Sequence, residues 1–157
     1  MAVDTEVLAT SDVVDILNDL LETSRDGEYG FRTCAEEVKS AEMKRVFNER
    51  ASSCAQGASE LSQLIATLGG KPADGGTATG AMHRGWVHAK GMVGANSDLS
   101  MLEECERGED AAVARYRKAL KQNLPADVRA VVERQAQGAQ RNHDQIKLLR
   151  DQERARS

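Results

Sequence analysis

The sequence predicts an all-α fold, and more narrowly a bundle of four helices. Aromatic residues make up only 3% of the 157 residues and there are 2 prolines, whereas Ala, Leu, Glu, Gln and Arg are abundant. This composition favours helix over strand. Four segments also repeat apolar residues at spacings of three and four, which is the pattern of a helix that buries one side. A chain of this length is expected to form a single domain with its own core.

The first predicted helix covers residues 12–38. Ser11 or Asp12 is expected to cap its N-terminus, because either side chain can accept a hydrogen bond from a backbone N–H group that the helix leaves free. The inward face of this helix is predicted to carry Val14, Leu17, Leu21, Ser24, Glu28, Phe31, Ala35 and Val38.

The second predicted helix covers residues 41–68, with Ser40 as its cap and the pair Gly69-Gly70 as its stop. Because the join to the first helix is short, the two helices are expected to be antiparallel neighbours. The inward face of this helix is predicted to carry Met43, Phe47, Cys54, Ala58, Leu61, Ile65 and Leu68.

Residues 71–96 are predicted to form a long crossover between two helical hairpins. Gly, Pro, Thr, Asp and Ala dominate its first part, which is typical of a loop. A short amphipathic helix is expected at about residues 81–93, with Trp86 as its apolar anchor. His83 and His88 would lie on different sides of that helix, so we interpret them as surface or hydrogen-bonded histidines.

Two more helices are predicted in the second half of the chain. The third covers residues 97–122 and begins at Asn96 or Ser97. The fourth covers residues 126–151, and Pro125 stands at its start, where the missing N–H of a proline is tolerated. The remaining C-terminal residues are expected to fray.

Charge and hydropathy exclude several classes of function. The formal net charge is −4, and no long basic block occurs, so we expect no binding to nucleic acid. No apolar run reaches the roughly 18–20 residues that a membrane span needs. The N-terminus lacks the basic and apolar pattern of a signal peptide. The prediction is a cytoplasmic protein that binds neither nucleic acid nor membrane.

The 3 cysteines agree with a reducing compartment. Cys34, Cys54 and Cys105 fall on the apolar sides of predicted helices, lack C-x-x-C spacing and are odd in number, so we interpret them as small core residues. The alternative is a redox-active or nucleophilic thiol, which would need a lowered pKa and a neighbouring base.

The two halves of the sequence look like copies of one another. Gly27-Glu28 recurs as Gly108-Glu109, 81 residues later, and the stretches that precede both pairs align without gaps. Two related helical hairpins joined by a long crossover are the plan of a ferritin-like bundle. An up-down-up-down bundle is the alternative, and the length of the crossover counts against it.

Both repeated glutamates are predicted to face the helical interior, where an ionised carboxylate needs a cation, a proton or a metal to compensate it. A di-iron or di-manganese centre in this fold takes a Glu-x-x-His pair from each of two helices. The nearest match runs from Gln140 to His143, and the second helix offers no equivalent histidine. One hypothesis is therefore a mononuclear or degenerate iron or manganese site formed by Glu28, Glu109 and His143.

The competing hypothesis is that the interior glutamates are ion-paired. Arg32 lies one turn after Glu28, which is a favourable orientation for a pair on one helix. Arg50 and Arg134 are predicted near the inner faces of the partner helices, where they could compensate a buried carboxylate. Glycines at the same levels would let the helices approach closely; they are Gly27, Gly57, Gly108 and Gly138. No sequence motif of a hydrolase or a nucleotide-dependent enzyme occurs.

Several motifs together resemble a known family. They are R-D-G-E-Y-G-F at residues 25–31, H-R-G-W at residues 83–86, E-C-E-R-G-E-D at residues 104–110 and the pair Leu124-Pro125. The combination, over about residues 11–150, is similar to a bacterial ferritin-like four-helix-bundle family classed as a domain of unknown function. The resemblance implies a small bacterial bundle of the ferritin-like superfamily, and it implies no activity.

Two functions from different classes follow from these observations. The first is a non-enzymatic structural or partner-binding bundle, which the resemblance associates with stress, and whose partner is another protein or further copies of the same chain. The second is a metal-binding ferritin-like protein. We favour the first, because the ligand set for two metal ions is incomplete.

Overall fold

The computed structural model describes residues 6–73 and 97–156. Within these ranges the chain forms four helices and no strand: α1 (Thr10–Glu37), α2 (Ala41–Thr67), α3 (Asp98–Leu120) and α4 (Ala126–Arg156). The predicted all-α, four-helix architecture is confirmed. The predicted crossover helix at 81–93, together with Trp86, His83 and His88, lies outside the described residues.

The starts of the helices test the predicted caps. The Ser40 hydroxyl accepts a hydrogen bond from the Met43 backbone N–H over 3.2 Å, and Ser97 caps α3 in the same way. The cap of α1 was predicted wrongly. Its N-cap is Ala9, which provides no side-chain hydrogen bond. The helix begins earlier because the preceding segment is held from outside, where the Leu8 N–H donates to the Asn123 carbonyl over 3.1 Å.

The end of α4 also differs from the prediction, because the helix continues to Arg156 instead of fraying after Asp151. Two ion pairs tie this last part to α3. Arg150 contacts Glu106, and both side chains are largely buried. One turn further, Arg154 contacts Glu103 over 2.8 Å. These partners lie far away in the sequence, so a local reading of the C-terminus could not reveal them.

The helices pack as two antiparallel hairpins. α1 packs most extensively against α2, and α3 packs against α4. The hairpins meet mainly where α1 packs against α3, whereas α2 and α4 scarcely touch. The Asp98 carboxylate fastens the two hairpins at one end, because it accepts hydrogen bonds from the backbone N–H groups of Lys39, over 2.7 Å, and Ser40, over 3.0 Å.

The apolar core is divided into two clusters along the bundle. One cluster surrounds Phe31 and Phe47, whose ring centroids are 6.0 Å apart, and includes Ile146 of α4. The other surrounds Leu17 and Leu61, and includes Val132 of α4. A polar layer separates the two clusters and holds the candidate site. No helix in the described ranges combines the length and the apolar character that crossing a membrane requires.

Candidate functional site

A cavity of about 730 Å³ occupies the polar layer, and all four helices contribute to its wall. The wall combines charged side chains with residues that have very small side chains or none. Its charged members in the described chain are Asp26, Arg50, Glu60, Arg107, Glu109, Arg115, Arg134 and Arg141. Its smallest members are Gly27, Gly57, Gly108, Gly138, Ala111, Ala112 and Ala139. The small residues leave the room that the cavity occupies.

Glu109 is the most deeply buried acid of the cavity wall, with 5% of the residue exposed. Burial raises its pKa to about 7, and the nearby charges of Arg50 and His143 only partly offset that effect. The sequence prediction that Glu109 faces the interior is confirmed. At neutral pH this carboxyl therefore exchanges between its charged and its neutral form.

Arg50 provides positive charge close to Glu109 but does not bond to it. Its Nε atom is buried and has no hydrogen-bond partner, and among the described residues the side chain forms no ion pair. Leaving a buried donor without an acceptor generally costs about 1–3 kcal/mol. The cavity therefore contains a guanidinium group whose hydrogen-bonding capacity the described part of the protein leaves unused.

Glu28 is placed differently from Glu109. Its side chain is 33% exposed and its carboxylate contacts Arg32 over 3.2 Å, one turn along the same helix. It is not among the residues that line the cavity. The acid that α1 contributes to the cavity is Asp26, which is 7% exposed. Glu28 therefore lies at the margin of the interior, paired with Arg32 and near Cys54, and not on the cavity wall beside Glu109.

His143 is engaged by two acids. Its Nε2 atom lies 2.5 Å from the Asp110 carboxylate and its Nδ1 atom lies 3.2 Å from that of Asp144. Burial lowers the pKa of His143, but the hydrogen bonds to Asp144 and Asp110 outweigh it, so the pKa is raised overall. Both ring nitrogens are thus occupied, and the imidazole is stabilised in its charged form.

A hydrogen-bonded network crosses the cavity wall from α3 to α2. The Tyr116 hydroxyl donates to Gln135 Oε1 over 2.9 Å, and Gln135 Nε2 donates to Glu60 Oε1 over 2.7 Å. Arg134 also contacts the Glu60 carboxylate. Burial raises the pKa of Tyr116 to about 12, so its hydroxyl remains a donor. No sequence motif indicated that Glu60 joins Tyr116 and Gln135 in this network.

The three cysteines are free thiols in the described chain. Cys34 and Cys105 are fully buried, as predicted for core residues. Cys54 lines the cavity, where burial and the nearby carboxylates of Glu109 and Glu28 raise its pKa to about 12. A thiol with so high a pKa is almost entirely protonated at neutral pH and is a poor nucleophile.

The residues of the cavity do not fit a two-metal centre. Within the described ranges, no three His, Cys, Asp or Glu side chains converge as a set of metal ligands. Gln140 replaces the glutamate of a Glu-x-x-His pair in the sequence and does not line the cavity, and His143 is bound to Asp110 instead of facing the cavity. Arginines that line the wall add positive charge, which disfavours a divalent cation.

Solved structures share this fold. A protein from Anabaena variabilis with DJ-1/ThiJ/PfpI-like and ferritin-like domains is 13% identical with a TM-score of 0.77, over 96% of this chain and 39% of that chain. A dodecameric thioferritin, the bacterioferritin-related protein from Bacteroides fragilis, is 17% identical with a TM-score of 0.73, over 95% of this chain and 90% of that one. Dps from Mycobacterium smegmatis is 16% identical with a TM-score of 0.73, over 87% and 84% of the two chains.

At these identities the similarity establishes the ferritin-like fold alone. The chain spans about two fifths of the length of the two-domain Anabaena protein, so it corresponds to only a part of that molecule. No curated protein matches the chain in sequence. A family model described as a domain of unknown function, DUF2383, matches residues 12–122, which is well over half of the sequence, and the chain therefore belongs to that family.

Proposed function

We propose that this protein is a non-enzymatic ferritin-like bundle that binds a partner and works without a metal centre. The observation that carries the proposal is that the protein's own groups and protonation state account for the carboxylates of the polar layer. Glu109 lies beside Arg50, and Glu60 contacts Arg134 and Gln135. Glu60 thus has partners within the protein, and burial keeps Glu109 partly protonated at neutral pH, so neither carboxylate needs a metal ion to compensate its charge.

The partner in this proposal is another protein or further copies of the same chain. One structural neighbour is described as dodecameric, which supports self-association as a property to test. The exposed Leu148 of α4, with 57% of the residue accessible, offers one apolar contact for such an association. The stress association and the cytoplasmic location remain predictions from the sequence.

A second candidate function is metal binding by Glu28, Glu109 and His143. One observation favours it: Cys54 lies close enough to both glutamates for each to raise its pKa, and His143 acts in turn on the pKa of Glu109. These electrostatic effects support placing the candidate ligands in the same part of the bundle, although their side chains do not converge among the described residues. Metal binding there would require Glu28 to leave Arg32, and His143 to leave Asp110.

Metal loading separates the two candidates. The protein would be incubated with Fe²⁺ or Mn²⁺ and desalted, its bound metal measured by mass spectrometry, and its melting temperature compared with and without a chelator. We expect about 0.1 equivalent or less per chain and no shift in melting, because a ligand stabilises the folded state only if it binds that state.

Substitutions of the candidate ligands test whether any bound metal occupies the proposed site. Glu109→Gln and Glu28→Gln each remove a candidate ligand, and Glu49→Gln is a matched control because Glu49 lies on the outer side of α2 with 58% of its side chain exposed. Stoichiometric metal in the wild type and in Glu49→Gln, but in neither of the other two variants, would establish the metal-binding candidate and refute the first proposal.

A further inference from the structure

We propose that the cavity binds a small organic anion, a molecule with a carboxylate or phosphate group and an apolar part. The first reason is its charge. Among the described residues that line it, arginine occurs five times and carboxylic acids occur three times. The chain as a whole is acidic, with a net charge of −4. The cavity therefore has a more positive electrostatic potential than the rest of this acidic protein, and such a potential favours binding of an anion.

The second reason is that several of these arginines have no carboxylate partner within residues 6–73 and 97–156. Arg107 contacts Glu104 and Arg134 contacts Glu60. Arg115, by contrast, donates to the neutral Thr23 hydroxyl over 2.9 Å and contacts no carboxylate of the described residues.

Arg50 and Arg141 have fewer partners still, because within the described ranges neither side chain forms a hydrogen bond or an ion pair. With Arg115, these guanidinium groups approach the cavity from α2, α3 and α4. Groups on three different helices can surround one bound molecule. A guanidinium group presents its N–H donors in a planar fork that matches carboxylate and phosphate oxygens.

The third reason is the shape and chemistry of the remaining wall. A volume of about 730 Å³ lies within the range of about 300–1,000 Å³ that is usual for small-molecule sites. Phe31, Cys54, Ala112 and Ala139 supply an apolar surface beside the charged one. A molecule with an anionic head and a short apolar tail would satisfy both parts of the wall.

This inference rests on the proposed function, because a metal ion held near Glu109 would occupy the same cavity. The buried Nε of Arg50 is the donor that the anion is expected to satisfy. Hexanoate is a suitable probe for the carboxylate class and inorganic phosphate for the phosphate class. Each would be titrated into the full chain by calorimetry at constant ionic strength, with chloride as the control anion.

We expect saturable binding of at least one of the two probes and no response to chloride. Arg50→Gln and Arg115→Gln should each weaken the affinity by about tenfold or more, since each removes a charged donor. Arg45→Gln is the matched control, because Arg45 lies on α2 with 65% of its side chain exposed and contacts Glu49 instead of the cavity. Arg115 is exposed, so its replacement keeps the test valid even if Arg50→Gln fails to fold.

The outcomes distinguish this inference from the proposed function. Binding of hexanoate alone identifies a carboxylate site, and binding of phosphate alone identifies a phosphate site. If neither probe binds and metals also fail to bind, the anion site is refuted and the metal-free bundle stands. If Mn²⁺ or Fe²⁺ binds while both anions are inert, both proposals are overturned. Equal affinities in the wild type and the two arginine variants would refute the site as placed.

Discussion

Glu109 makes the stability of the protein depend on pH. Its folded-state pKa of about 7 lies above the reference value of 4.5, so between these pH values the folded state binds more protons than the unfolded state. The contribution of Glu109 to the free energy of unfolding is therefore greatest below about pH 4.5. It decreases as the pH rises towards 7 and does not change further above about pH 7. Arg50 limits the loss but does not prevent it, because burial is the larger effect.

Replacing Glu109 by Gln should remove this pH dependence. Relative to the wild type, we expect Glu109→Gln to gain stability progressively between pH 4.5 and 7, by up to about 3 kcal/mol, because a neutral side chain avoids the burial of a charge. Urea unfolding at pH 5, 6, 7 and 8 measures the difference. Glu49→Gln, at an exposed position on α2, is expected to show a constant offset, and parallel pH profiles for Glu109→Gln and the wild type would contradict the prediction.

Two glycines at the cavity level provide a matched pair of substitutions. A Cβ atom on Gly27 would lie 2.8 Å from the Cys54 sulfur, whereas one on Gly138 would meet nothing closer than Arg141 at 3.7 Å. Alanine favours helix over glycine by about 1 kcal/mol. We therefore expect Gly138→Ala to stabilise the protein by about that amount and Gly27→Ala to lose the gain through the clash, as measured by thermal unfolding.

The clash at Gly27 has its own control. Adding Cys54→Ala removes the sulfur that the new methyl group meets. If the steric explanation is right, the effects of the two substitutions are not additive, and Gly27→Ala becomes stabilising in the Cys54→Ala background. Additive effects would place the cost of Gly27→Ala elsewhere.

At the scale of whole helices, the C-terminal part of α4 depends on ion pairs with α3. Arg150 contacts Glu106 and Arg154 contacts Glu103. We expect Glu106→Gln to increase the hydrogen-exchange rates of the backbone amides at residues 152–156, because the helix end loses its nearer attachment. Amides in the middle of α4 should not change. Unaltered exchange in both regions would show that local helix propensity holds this end.

The helices themselves were largely predictable because their signals are local. Ser40 caps α2 and Ser97 caps α3, as their positions before apolar stripes indicated. The start of α1 was not predictable in this way, because its preceding segment is held through the Leu8–Asn123 hydrogen bond. The same reason explains the end of α4 at Arg156. Contacts between distant residues set these boundaries, and a window of neighbouring residues does not contain them.

The site was predictable only in part. Periodicity placed Glu109 correctly in the interior, because it lies near the middle of an apolar stripe. It could not choose between Glu28 and Asp26, which lie near opposite margins of the inward face of α1, where the position of the neighbouring helix decides which side chain is buried. It also could not foresee that His143 contacts Asp110, since that contact joins two helices.

At the scale of the whole molecule, each apolar cluster draws residues from both hairpins, so packing within a cluster should couple them. Ile146 of α4 is fully buried with Phe31 of α1, whereas Leu148 is 57% exposed. We expect Ile146→Ala to destabilise the protein by about 2–5 kcal/mol in a single cooperative transition, and Leu148→Ala to change stability by about 0.5 kcal/mol or less. Chemical denaturation followed by circular dichroism measures both effects.

The same pair of variants reports on self-association. If Leu148 contacts a second copy of the chain, Leu148→Ala should reduce the native mass measured by light scattering without lowering the stability of the dilute protein. A native mass equal to the 17.0 kDa of one chain at all concentrations tested would remove homo-oligomer formation from the proposed function.

The weak contact between α2 and α4 has a consequence for motion. In the described part of the molecule, Glu60 of α2 reaches across to Arg134 and Gln135 of α4, beside little other packing between these helices. One hairpin could thus rotate relative to the other about the α1–α3 contact, and the bonds of Glu60 would oppose that rotation. Separation of α2 from α4 would then break the bonds of Glu60 and the hydrogen bond from Gln135 to the Gly57 carbonyl, and it would leave each helix intact.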